Sequence, residues 1–515
     1  MTTLSPLKGN YFIENLSSIL KTKIMDTLVI ECYAHYVHLA TAGEIAVSEY
    51  YRGEDVGFVF IHSNNPDNPF FSRDFLKRIS YNLRGTSCRN LVSKLERKLL
   101  KVGIKVCRDN YLERSLLDNI KEFSLNFPNN LEELKNCSYQ GAKLGLATAS
   151  SLISCTRHSN PNIEDYRQLV ELYLHESAVV FEKSRITLEK LNPRKVISFN
   201  GRFACSSAIF QAALQLGIMV QYHERGATFD RYEIFDEMPH KFSYIRDKIR
   251  RFWADCYLSY HDKLHLAHRF FQIKREGYGV GWYSFVDKQE KGLVPTGTTK
   301  NKIVYFSSSD DEFAAVGDFY TKHIFDDQKQ AINTLISWVS KQENSVLVVR
   351  VHPHVQQKHP EDQKYWSSLS GEKVTLITSE SPIDSYALID WSDIVVTYGS
   401  TVGIEATYWG KPSILIGDAL YSGFGCVYEP KSLNELFELL DPLNRPSNLD
   451  QETCLPYGLY FMSFGKSYKY YKPENLFTGE FLGDKLTFYP EWVDALRPLK
   501  TLLKGKLRNF SKRKT

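Results

Sequence analysis

Short runs of apolar residues recur along the chain, each bounded by turn residues and separated by helix-length stretches of mixed polarity. DTLVIEC from Asp26 and VGFVFIH from Val56 read as buried strands, and KVGIKVC from Lys101 as a third. A long polar helical region follows, through Glu164–Leu191. The run KVISFNGRFACSSAIFQAALQLGIMVQYHERG then divides into a strand (VISF), a turn (NGR), a helix over Ala204–Leu216 and a second strand (IMVQYH). Strand, helix and strand joined by short connections predict a parallel sheet. Residues 230–295 are mixed, with a basic aromatic run (KFSYIRDKIRRFW), and the polar stretch around Lys288–Lys302 reads as an interdomain linker.

Beyond that linker the alternation becomes regular. IVYFSS, SVLVVRVH, VTLIT, DIVVTYG and PSILIG are strands, and helices are expected over Gln328–Lys341, Asp362–Leu369, Ser385–Ile389, Ser400–Trp409 and Ser432–Leu440. The pattern predicts an α/β chain with two doubly wound, Rossmann-like domains, at 1–295 and 296–445. A segment over 446–515 is expected to pack back across them as helices and to end in a basic tail. No internal repeat of 20–50 residues is present.

Composition narrows the partners. The 515 residues are 43% hydrophobic and 24% charged, ordinary for globular domains, and 64 basic against 60 acidic residues give a net charge of only +4. That balance argues against nucleic acid as the main partner. Nine cysteines show no CxxC spacing, so neither a zinc ribbon nor a disulfide framework is expected, and the compartment reads as reducing. No leader with basic and apolar regions opens the sequence, and no apolar run reaches 18 residues. A cytoplasmic enzyme is expected. The seven basic residues from Lys500 onward, with no acid among them, read as a solvated end or as a contact to an anionic membrane surface.

Candidate chemistry lies in the loops after strands, where doubly wound sheets bind ligands. Arg350, His352 and Pro353 end SVLVV, and an arginine with an imidazole there reads equally as a phosphate-binding pair or a surface loop. Gly399, Ser400 and Thr401 end DIVV and open a helix, with Glu405 one turn inside, placed to accept from ribose hydroxyls or to complete a polar face. Ser308 and Ser309, before Asp310-Asp311-Glu312, read as an acidic first helical turn or a contact to phosphate or acceptor. In the first domain, Asn200-Gly201-Arg202 and His223-Glu224-Arg225-Gly226 end successive strands. A carboxylate beside a histidine and an arginine there suits a general base or a loop-ordering ion pair. His261, His265 and His268, with Asp262, follow helical spacing and read as a polar helix face rather than a metal centre. No GxGxxG fingerprint is present.

His352-Pro353, the stretch SDIVVTYGSTVGIEATYWGKPSILIG at 392–417, Tyr421 and Gly425 resemble the capsule polysaccharide biosynthesis family, which includes Kdo transferases. The match covers about residues 346–426. The NGR and HERG loops resemble, less specifically, first-domain motifs of related surface-carbohydrate enzymes. The resemblance implies a GT-B fold, with a nucleotide-sugar donor in the second domain and a glycan or glycolipid acceptor against the first. It implies that His352 and Ser400/Thr401 hold the donor phosphate and Glu405 the ribose. Sialyltransferase-like members use an acidic-acidic-glycine motif as base; here the corresponding place reads His223-Glu224-Arg225-Gly226, with Glu224 as its one acid. The expectation is a glycosyltransferase using a CMP-linked donor, with no bound metal and no tightly bound cofactor. A UDP-sugar transferase, a UDP-sugar 2-epimerase and a non-catalytic carbohydrate-binding subunit are the alternatives.

Overall fold

Leu28 and Ile30 pack into one core while Val29, between them, packs into another, and all three are fully buried. A strand covered on both faces has no polar side to show, so its sequence reads as an unbroken apolar run. The computed structural model describes residues 24–65, 88–277, 289–296, 298, 300–309, 324–474 and 479–486.

In chain order the first domain runs β1 (Thr27–Glu31), α1 (Tyr36–Tyr51), β2 (Val56–Phe60), α2 (Cys88–Val102), β3 (Lys105–Cys107), α3 (Arg114–Leu125) and α4 (Leu131–Lys135). The ribbon β4 (Ser138–Tyr139) and β5 (Ala142–Lys143) follows, then α5 (Gly145–Thr156), α6 (Arg167–Leu191), β6 (Lys195–Phe199), α7 (Ala204–Gln215), β7 (Met219–Arg225) and β8 (Arg231–Phe235). Strands β3-β2-β1-β6-β7 are parallel in that order, and β8 joins β7 antiparallel. The order reverses between β1 and β6, which makes their carboxyl ends a topological switch point.

Two helices come next, α8 (Phe242–Asp255) and α9 (Tyr260–Glu276). The second domain runs β9 (Asn301–Phe306), α10 (Gln328–Ser340), β10 (Ser345–Arg350), α11 (Pro360–Ser368), β11 (Val374–Ile377), α12 (Ser385–Trp391), β12 (Ile394–Thr397), α13 (Val402–Tyr408), β13 (Ser413–Leu415) and α14 (Leu433–Leu440). All five strands are parallel in the order β11-β10-β9-β12-β13, with the switch point between β9 and β12. The expected pair of doubly wound sheets is therefore present.

The domains share an apolar core. Ile249 of α8, Phe271 of α9 and Leu459 of α15 (Leu455–Ser463) pack in one cluster with Phe210 and Tyr222 of the first domain and Ile404 and Leu415 of the second. A Cβ on Gly458 would lie 2.6 Å from Ala267 O, so α15 crosses α9 at a distance only glycine permits. The chain then returns to the first domain. Strand β14 (Lys466–Ser467) extends its sheet beside β8, and β15 (Tyr471–Pro473), β16 (Gly479–Phe481) and β17 (Asp484–Leu486) form a small antiparallel sheet. Tyr471, Phe481 and Leu486 pack against the α1–α2 face.

Three sequence expectations shift. The segment from 446, expected as crossing helices, crosses in one α-helix among the described residues, α15, and then runs as the short strands β14–β17, whose apolar residues pair and pack on the first domain. Lys101 and Val102 end α2 rather than begin a strand, because Gly103, at φ +104°, stops the helix and leaves only three residues for β3. Part of the polar stretch near 290 lies along the second domain, where Glu290 bridges Ile383 and Gly292 N–H donates to Asp384 Oδ2 at 3.0 Å. Residues 1–23, Asp310–Glu312 and the basic end from Lys500 lie outside the described residues. Among the described residues no helix is long and apolar enough to cross a membrane.

Candidate functional site

Both switch points gather polar side chains. In the first domain, Asn200 and Gly201 follow β6 with φ +57° and +76°. A side chain on Gly201 would run into the Tyr222 ring at 2.6 Å, so the NGR turn needs glycine for both conformation and space. Asn200 is buried and holds its surroundings together. Its Oδ1 accepts from Arg202 N at 3.0 Å, and its Nδ2 donates to Glu224 Oε2 at 2.5 Å and lies 3.1 Å from His240 Nε2. Glu224 Oε1 accepts from Arg225 N at 3.0 Å, so the carboxylate is oriented but half-exposed. Arg202 Nε donates to Ser150 Oγ at 2.8 Å. An oriented, accessible carboxylate is what proton abstraction requires.

His223 is not beside Glu224 in this way. It points to the other face of β7, fully buried, with Nε2 2.6 Å from Glu31 Oε1 at the end of β1. Burial raises the Glu31 carboxyl above the usual range, against the lowering influence of His223. His35 and His38, at the start of α1, complete this face, their rings 5.1 Å apart. Burial first, and Arg225 after it, push His35 down to about 4; burial, His35 and Arg225 depress His38. Tyr33 stacks on Phe199 at 5.3 Å and on Phe203 at 6.3 Å, forming an aromatic wall beside them. The Glu31–His223–Arg225 face and the Asn200–Glu224–His240 face thus lie on opposite sides of one strand end.

Glu31, His35, His38 and His240 were not singled out by the sequence reading. The available signal was an acid closing an otherwise apolar strand, with two histidines just beyond its carboxyl end.

In the second domain, His352 leaves β10 with its N–H donating to Ser307 Oγ at 2.8 Å, across the neighbouring strand end. Its Nδ1 accepts from His354 N at 3.2 Å, capping the turn that Pro353 begins. That bond fixes the neutral tautomer with hydrogen on Nε2, a donor for an anion. Ser308 N donates to Gln328 Oε1 at 2.5 Å, while its Oγ is buried with no hydrogen-bond partner among the described residues. Ser309 is buried beside it.

Arg350 takes another part. It is 2% exposed, and its Nη atoms donate to Thr378 O at 2.7 Å and Ser381 O at 3.3 Å, with burial pushing it down to about 10. The guanidinium braces the loop after β11.

Beyond β12, Gly399 and Ser400 are half-buried and Thr401 is exposed. Tyr421 OH donates to Ser400 O at 2.5 Å, fixing the loop from below. Glu405 is buried, and both its oxygens are engaged: Oε1 with Lys274 Nζ at 3.1 Å and Thr401 Oγ1 at 2.9 Å, Oε2 with Tyr386 OH at 2.5 Å. A ribose hydroxyl would have to displace one of these. Lys274, from α9, also lies 3.4 Å from Thr401 Oγ1, so it brings a positive charge to the loop that its position 127 residues earlier did not announce. Beside Tyr386 is a cavity of about 480 Å³ lined in part by Gln272, Arg275 and Trp409. Small-molecule sites span roughly 300–1,000 Å³.

His261, His265 and His268 do not converge: His268 Nδ1 lies 2.8 Å from Tyr408 OH, and His261 is exposed.

Residues 320–436 match a family model described as capsule polysaccharide biosynthesis protein. No curated protein matches the chain. Among solved structures, it is similar to two from Thermosulfurimonas dismutans: KpsC, beta Kdo 2,4 transferase, with 13% identity over 53% of this chain and 81% of that one (TM-score 0.35), and KpsC, beta Kdo 2,7 transferase, with 16% identity over 54% and 80% (TM-score 0.32). A putative UDP-N-acetylglucosamine 2-epimerase from Listeria monocytogenes aligns at 12% identity over 87% and 93% (TM-score 0.25). The stretch that matches this family model carries the His352, Ser400 and Glu405 loops.

Proposed function

We propose that this chain is a nucleotide-sugar-dependent glycosyltransferase of surface polysaccharide biosynthesis, using a CMP-linked donor and a glycan or glycolipid acceptor. The observation that carries this reading is the donor-binding chemistry at the β9/β10/β12 strand ends, within the family-matched stretch and its flank. The His352 Nε2 hydrogen, the Ser308 hydroxyl, the Thr401 hydroxyl and the Lys274 ammonium are all suited to phosphate oxygens. Arg350 acts behind them, through the loop it braces.

In the transfer step Glu224 takes the acceptor hydroxyl proton as that oxygen bonds to the anomeric carbon. The bond from that carbon to the donor's phosphate oxygen breaks, and the nucleotide leaves with the electron pair. His352 and Lys274 stabilise the charge that accumulates there, which is where fixed donors lower a barrier most. Asn200 keeps Glu224 aimed.

Thermal-shift ranking of CMP, CDP and UDP tests the donor assignment, since a ligand that binds only the native state raises its melting temperature. CMP is expected to give the largest rise. A larger rise with UDP overturns the CMP assignment, and no rise with any nucleotide overturns the donor site.

A further inference from the structure

Beside the last turn of α1, the returning chain leaves a groove of about 550 Å³ that the transfer chemistry does not use. Four tyrosines line it: Tyr51 from α1, Tyr232 from β8, and Tyr468 and Tyr470 from the segment after β14. They form two stacked pairs, Tyr51 with Tyr470 at 5.5 Å between centroids and Tyr232 with Tyr468 at 5.1 Å. The second pair lies deeper. Tyr232 is buried, and the Tyr468 hydroxyl is 2.7 Å from Thr41 Oγ1. The first pair meets solvent, with Tyr51 62% exposed and Tyr470 half-buried. Large aromatic surface held in place yet left in water marks a contact site more often than chance exposure.

The charge along the groove is one-sided. Lys466 and Lys469 line it, are exposed, and have no ion-pair partner among the described residues. The acids nearby are committed elsewhere. Glu49 is buried between Arg52 and Lys195, and Glu44 gives both oxygens to the backbone N–H groups of Lys469, Tyr470 and Tyr471. Those bonds and the pairing of β14 set the groove before any ligand arrives, so little ordering remains to oppose binding. Lys466 pairs with Tyr232, and Tyr232 with Arg225. Directly opposed residues share a face, so Lys466 stands two strand spacings, about 10 Å, from Arg225 on one side of the sheet.

We propose that this groove binds a stretch of anionic oligosaccharide outside the transfer site and so holds a glycan acceptor on the enzyme. The C–H faces of sugar rings carry partial positive charge and lie against the negative faces of Tyr51 and Tyr470. Acid groups along the glycan meet Lys466 and Lys469 in charge-assisted hydrogen bonds. A membrane surface fits less well, because the rings line a concavity instead of projecting from the protein. The inference rests on the reading of this chain as a glycan-handling enzyme, and its test measures binding, not transfer.

The full chain is titrated with hexasaccharides of galacturonic acid and of sialic acid, with maltohexaose as the neutral control. Saturable binding of an acidic probe is expected, at least tenfold tighter than maltohexaose. Tyr51→Ala with Tyr470→Ala, and Lys466→Ser with Lys469→Ser, should each weaken it at least tenfold, while Glu224→Gln should keep it. The two lysines are exposed, so their variant keeps its melting temperature even if the tyrosine variant does not. No binding of either acidic probe, or binding that survives the lysine variant, overturns the proposal. So does binding of phosphatidylglycerol vesicles in place of the oligosaccharides. Groove binding without any sugar transfer upholds this inference and strikes the proposed function; transfer without groove binding does the reverse.

Discussion

His223 Nε2 lies 2.6 Å from Glu31 Oε1, and neither residue is more than 1% exposed. The two are 192 residues apart and meet because β1 and β7 flank β6. Removing one partner of such a pair strands the other in the core, a loss on the order of 3–5 kcal/mol. Glu31→Leu should lose about that much in urea unfolding, and Glu31→Gln, which keeps an acceptor, should lose less. Wild-type stability in Glu31→Leu would contradict the pairing.

Glu44, on α1, accepts three backbone N–H groups of the returning chain: Lys469 at 2.9 Å, Tyr470 at 2.7 Å and Tyr471 at 2.9 Å. It is fully buried. Hydrogen bonds to a charged group contribute about 1.5–3 kcal/mol each. Glu44→Ala should therefore speed amide exchange over 466–474 by more than tenfold, even where global unfolding changes little. Unchanged exchange in that segment would show that the clasp contributes nothing.

Three first-domain histidines set a pH dependence. Burial holds His35, His38 and His240 below their usual range, with Arg202 also acting on His240, which falls to about 3. Unfolded, each titrates near 6.5. Below that value the unfolded chain takes up protons the fold refuses, so stability is fully present above about pH 6.5 and is lost as the pH falls. Each group approaches a limiting slope of about 1.4 kcal/mol per pH unit. His240→Gln should make the loss between about pH 6.5 and 5 shallower in urea titrations. An identical slope would assign the acid sensitivity elsewhere.

Tyr421 OH supports the Ser400 carbonyl, and a Cβ on Gly403 would run into that hydroxyl and lie 2.8 Å from Thr397 Oγ1. Tyr421→Phe removes the hydroxyl's bonds to Ser400 O and to Thr397 Oγ1, the latter at 3.4 Å, at a cost of about 1–2 kcal/mol, and loosens the loop. Its nucleotide-induced rise in melting temperature should shrink by at least half. A full rise would mean that the loop geometry does not depend on Tyr421.

The strands were legible because doubly covered parallel strands are apolar throughout, as Leu28-Val29-Ile30 and Val395-Val396 are. The loops at their carboxyl ends followed from the same pattern. What spacing along the chain could not supply was pairing across the fold. Glu31 meets His223, and Lys274 meets Glu405, through sheet order and helix packing over more than a hundred residues. Arg350 shows the converse: its position suited a phosphate, but its exit direction from β10 turns it onto Thr378 and Ser381. Helix α8 was hidden because its buried residues pack among groups of both domains, and of α9 only the polar face carrying His261, His265 and His268 was legible.

The central claim is tested most directly by mass spectrometry of the products formed from a panel of CMP- and UDP-sugars, comparing wild type with His352→Ala and Glu224→Gln. The account predicts an acceptor gaining one sugar from a CMP-linked donor. That product should fall at least a hundredfold in both variants while their melting temperatures stay close to wild type. Undiminished transfer by His352→Ala, or no transfer from any donor in the panel, would contradict it.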